Sequence, residues 1–190
     1  MYARRLQRGR ALEAATLTWN VVGVAVLAVA ALRARSVALA GFGLDSLIEI
    51  AASWVVLWEL ADLAQQRRER ATRLIGTAFV ALSLYLAVQS TVVLIARFHP
   101  RHSVPGMVWT AATALVMGLL ARGKATTGAA LANPVLVAEG RVTMIDAILA
   151  AAVLIGLALN SFAGWWWADP AAGYVLVIYA VREARHSLRH

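Results

Sequence analysis

Residues 36–58, SVALAGFGLDSLIEIAASWVVLW, form a stretch long and apolar enough to cross a bilayer as a helix, yet Asp45 and Glu49 stand near its middle. Nothing else in the chain restricts the fold so strongly. Inserting an acidic residue at mid-membrane costs on the order of 3 kcal/mol, while each Leu, Ile, Phe or Val returns about 0.3–0.6 kcal/mol. Residues four apart lie on one helical face, about 6 Å apart along the axis. The two carboxyls therefore share a stripe. Such acids face a bundle interior or a water-filled path, and the reading they invite is a proton or cation site. The structural alternative is a pair bonded to neighbouring helices.

The rest of the composition agrees with a membrane protein. Of 190 residues, 61% are hydrophobic and only 15% charged, more apolar than a soluble single-domain core requires. Cysteine is absent, which excludes disulfides and thiolate metal sites. The net charge of +8 comes from short basic runs between apolar spans. That pattern suits anionic lipid headgroups rather than nucleic acid. MYARRLQRGR followed by an apolar run imitates a signal peptide, but the run is too long and more spans follow.

The pattern predicts an all-α polytopic membrane protein, a six-helix bundle forming a single domain over 1–190. The expected spans are Leu12–Leu32, Ser36–Leu60, Leu74–Ala96, Val104–Leu120, Pro134–Phe162 and Pro170–Val181, the last extending to about Arg185. A hydrocarbon core of about 30 Å needs about 20 helical residues. The apolar runs are continuous rather than alternating, so strands are not expected. Asn133 and Asp169, each before a proline, are expected to cap the helices they precede.

With the N-terminus in the cytosol, thirteen Lys and Arg residues fall in inner segments and four in outer ones, Lys124 being counted among the inner. Both termini are thus expected to be cytosolic, with the protein in a cell membrane, the inner membrane of a bacterium. Trp165, Trp166 and Trp167 then lie at the outer interface, where Trp is enriched.

Span five carries Glu139, Arg141, Thr143 and Asp146. Counted from the outer ends at about 1.5 Å per residue, Asp45, Glu49 and Asp146 lie about 14, 20 and 24 Å deep. These three are expected to converge on one ion. Glu139 falls about 35 Å down, near the cytosolic mouth, where it pairs with Arg141 or faces water. Carboxylates in low dielectric cannot all remain charged and unpaired, so protons and a divalent cation compete for the same oxygens. Such competition is the physical basis of metal–proton exchange.

Leu44-Asp45-Ser46-Leu47-Ile48-Glu49-Ile50-Ala51-Ala52-Ser53 resembles the second transmembrane helix of the cation diffusion facilitator family. Gly41-Phe42-Gly43-Leu44-Asp45 and the Asn160–Pro170 stretch resemble a short subgroup without the usual cytosolic C-terminal domain. The resemblance implies six spans, cytosolic termini and divalent metal exchanged for protons. It carries over to Asp45, Glu49 and Asp146 as metal ligands. It fails at Val142, where the first ligand of helix five would stand; Glu139, Thr143 or water are the candidates to replace it. An oxygen-only set suits manganese, iron(II) or cobalt, and carboxylates also bind zinc.

The function expected is therefore a secondary transporter, not an enzyme, that exports a divalent transition-metal cation for protons. The metal ligands are Asp45, Glu49, Asp146 and Glu139, no organic cofactor is implied, and a homodimer would be held through membrane helices. One alternative is a non-transporting metal-binding subunit or sensor. Others are a channel and an intramembrane aspartyl hydrolase, although the sequence offers no Tyr-Asp partner motif for the last. Asn20 is read as a helix-to-helix hydrogen bond or a ligand. The pairs His99/His102 and His186/His190 are read as solvated, since no third ligand accompanies either.

Overall fold

The computed structural model describes the backbone of residues 2–60 and 65–189 and most of their side chains. The side chains of Arg67, Arg68, Arg70, Arg73, His186 and Arg189, and the whole of His190, lie outside the described residues. The described chain is helical throughout: α1 (Tyr2–Ala34), α2 (Val37–Leu60), α3 (Gln65–Ile95), α4 (Val104–Leu131), α5 (Pro134–Ala163) and α6 (Ala168–Arg189).

Arg35, Arg97, Ala132 and Gly164 each adopt positive φ directly after or near the end of α1, α3, α4 and α5. A left-handed residue at that place stops a helix and turns the chain. Ser103 opens α4 by accepting the Gly106 N–H at 3.1 Å, and Asn133 opens α5 by accepting the Leu136 N–H at 3.0 Å. Asn133 thus caps as its sequence suggests. Asp169 does not. It lies inside α6, and its carboxylate reaches the start of α2, accepting from the Ser36 hydroxyl and from the Val37 N–H at 3.0 Å. Two neighbouring hairpins are therefore tied at this end, where the Asn160 amide also donates to the Pro100 carbonyl at 3.1 Å. Trp165 and Trp167 stack here with centroids 5.3 Å apart, and Trp166 lies against His99.

Around the bundle, α1 packs on α2 and α4, α4 on α5, α5 on α6, α6 on α3, and α3 on α2. α2 also touches α5 and α6, so it packs against four other helices. Leu39 and Phe42 from α2 join Leu86, Leu157 and Leu176 in the apolar core. α4 and α5 pack most extensively, and Gly140 permits it: a Cβ there would stand 2.9 Å from the Ala125 nitrogen and 3.1 Å from the Ala121 oxygen. Backbone atoms cannot rotate away. Gly140→Ala is expected to cost about 1–3 kcal/mol, seen as a lower unfolding midpoint in detergent.

The molecule is apolar outside and polar within. Phe162, Ile95 and Leu115 are 84%, 78% and 70% exposed, while Glu13, Asn20, Asp45, Glu49, Lys124 and Asp146 are buried. That inverts the arrangement of a protein dissolved in water. Among the described residues, three helical segments are long and apolar enough to cross a membrane: Tyr2–Ala34, Val104–Leu131 and Glu139–Ala163. The apolar stretch Phe79–Ile95 is shorter.

The expected fourth span ended at Leu120, but α4 continues through Arg122 and Lys124 to Leu131. Arg122 points outward, whereas Lys124 is fully buried. Its charge is matched from other helices, so it belongs to the interior and not to an inner loop.

Candidate cation site

Asp45 and Glu49 are one helical turn apart on the inner face of α2, 0% and 4% exposed. Asp146, on the inner face of α5, is 1% exposed. The three carboxylates are electrostatic neighbours, Glu49 acting on Asp45, Asp146 on Glu49, and Asp45 on Asp146. Asn20 of α1 fixes one oxygen by donating its amide to Glu49 Oε2 at 2.9 Å. This is the helix-to-helix bond expected of Asn20.

Both oxygens of Asp45, Oε1 of Glu49 and Oδ2 of Asp146 are buried without a hydrogen-bond donor among the described residues. Buried polar groups are ordinarily paired, because an unsatisfied one costs about 1–3 kcal/mol and a charged one more. Four such oxygens lie on three acids within electrostatic reach of one another. Two residues of α6 belong to this level and were missed in the sequence. Tyr179 is buried with its hydroxyl unpartnered among the described residues, its ring edge-on to Phe79, and within the field of all three acids. Glu183 acts on Asp45. An i, i+4 pair on one of the last turns of the chain was the available signal.

Glu139 acts on Glu49 electrostatically but makes its hydrogen bond outside this group. Its partner is not Arg141, which is exposed, but Lys124, whose Nζ donates to Glu139 Oε1 at 3.4 Å. The same ammonium donates to Glu13 Oε2 at 3.0 Å and to Thr143 Oγ1 at 3.0 Å. Thr143 in turn donates to the Glu139 carbonyl at 2.9 Å. Glu139 and Thr143 are thus both engaged with Lys124 at a lower level. Glu13 and Lys124 were not singled out in the sequence, since each reads as a charge flanking an apolar span.

Two polar levels result. Glu13 and Asn20 on α1, like Glu139 and Asp146 on α5, are seven residues apart, so the levels are separated by about 10 Å along the helices. Lys124 lies within electrostatic reach of Glu49 and Asp146 above it. Among the described residues no three or more His, Asp or Glu side chains are gathered closely enough to hold a metal ion as they stand. The upper acids are neighbours, not a closed cage. His99 and His102 are exposed at the loop end, away from both levels.

No protein-family model matches the chain, and no curated protein matches it. The functional reading therefore rests on the side chains and their surroundings.

Proposed function

We propose that the protein spans a membrane with six helices, both termini cytosolic, and exports a divalent transition-metal cation in exchange for protons, as a short member of the cation diffusion facilitator type. The observation that carries this reading is the set of four unpartnered oxygens on Asp45, Glu49 and Asp146, buried inside a bundle whose outer face is apolar. A channel for neutral solutes has no use for three buried acids. A divalent ion or captured protons neutralise them, and each excludes the other from the same oxygens.

Cargo enters this site when the acids of α2 and α5 draw together around it, with water completing the shell. The all-oxygen donors favour manganese, iron(II) or cobalt, with zinc also accepted. Movement of α2 against α5 and α6 would expose the ion to one side and then the other. The decisive test is metal uptake into proteoliposomes holding a metal-sensitive dye and a pH dye. Wild type is expected to show saturable metal flux with opposite proton flux, and Asp45→Ala to show neither. Equal uptake by the two proteins refutes the proposal, and binding without flux marks a metal-binding subunit instead.

A further inference from the structure

The lower level has a composition that the upper one does not explain. Lys124 is the one lysine of the chain, beside seventeen arginines. Every described arginine side chain is exposed, whereas Lys124 is fully buried. An ammonium is a compact charge with three donors, unlike the broad, flat guanidinium. Here three oxygens from two helices receive those donors, at 3.0, 3.0 and 3.4 Å.

All three ammonium donors are used, but the charges do not balance. One ammonium faces two carboxylates, Glu13 and Glu139, and Glu13 Oε1 remains buried with no donor among the described residues. A divalent cation in the place of Nζ would match both carboxylates and take the Thr143 hydroxyl as a neutral oxygen ligand. Oxygen ligands at about 2.0–2.6 Å suit hard divalent ions, so the shell need contract by only about 1 Å.

We propose that Glu13, Glu139 and Thr143 form a second divalent-cation site, occupied at rest by the Lys124 ammonium, which an arriving ion displaces. Lys124 is then a tethered competitor. It keeps the lower site from holding cargo tightly, and passage requires binding weak enough to release. Onward transfer to Asp45, Glu49 and Asp146 rests on the proposed function; binding at the lower level does not.

The test is made on protein in detergent, with Mn2+ as the probe and its bound fraction read from the electron paramagnetic resonance of the free ion. Asp45→Asn weakens the upper site and serves as the reference. Asp45→Asn/Lys124→Met is expected to bind one more Mn2+ per chain, at least about tenfold more tightly than the reference binds at that level. Adding Glu13→Gln should abolish the gain. Equal Mn2+ binding by the folded reference and the folded double variant overturns the proposal. Should the double variant not fold, 15N-lysine labelling of Asp45→Asn protein reports one side-chain Nζ resonance. Titration with Zn2+ is expected to shift it, and a resonance unmoved at millimolar Zn2+ overturns the proposal. Neither readout requires transport, so failure here and failure of the carrier reading are separate results.

Discussion

Lys124→Met should lower the stability of the protein by about 3–5 kcal/mol, the loss typical when one member of a buried ion pair is removed. The side chain is of similar length, so little packing is lost. What remains is two buried carboxylates, Glu13 and Glu139, whose shared cation has gone. At about 2–4 °C per kcal/mol for a chain of this size, the unfolding midpoint should fall by roughly 6–20 °C. Tryptophan fluorescence on heating in detergent would measure it. The triple variant Glu13→Leu/Lys124→Met/Glu139→Leu should recover most of the loss, because an apolar replacement of the whole cluster leaves no charge stranded. A fall of less than about 1 kcal/mol in Lys124→Met would place the cluster with exposed ion pairs and contradict its burial.

Asp45→Asn should act in the opposite direction on stability while removing the proposed transport. Both Asp45 oxygens lack a donor among the described residues, so the native carboxyl is a cost to the fold. Replacing it by a neutral amide is expected to raise the unfolding midpoint by about 2–8 °C, corresponding to about 1–2 kcal/mol. Metal flux should fall at least about 100-fold, beyond detection in most vesicle assays. A site built for function at the expense of stability gives this signature. A destabilised Asp45→Asn protein would identify Asp45 as a structural group with a partner, and the cation reading would lose its central residue.

The two variants separate the two levels by sign. The lower cluster has its own ammonium and holds α1, α4 and α5 together, with one carboxylate in excess; the upper acids keep four oxygens with no donor among the described residues. Gly140 supports the lower cluster. It brings α4 close enough to α5 for the Lys124 stem to reach Glu139 and Thr143. Displacement of Lys124 would therefore loosen the most extensive helix contact in the bundle. The proposed exchange of an ammonium for an ion would thus be coupled to helix packing.

Much of this was legible in the chain itself. Continuous apolar runs dictated helices, because only a helix satisfies its own backbone where water is absent. The four-residue spacing of Asp45 and Glu49 placed both on one face, and their cost in an apolar span directed that face inward. Asn20 and Asn133 behaved as their positions in the sequence suggest. Other assignments depended on partners far along the chain. Lys124 reads as the basic end of a span until Glu13, 111 positions away, is seen against it. Glu139 invites pairing with nearby Arg141, yet two residues along a helix point to different faces. Asp169 resembles a cap of its own helix but serves the start of α2.

Local spacing and apolar content, then, fixed the helices and the inward stripe of acids, since both follow from helix period and solvation. Tertiary structure alone decided which charges are neutralised and which are buried without a partner among the described residues. A charge pairs through space, and the helix that supplies its counter-charge can lie anywhere in the sequence.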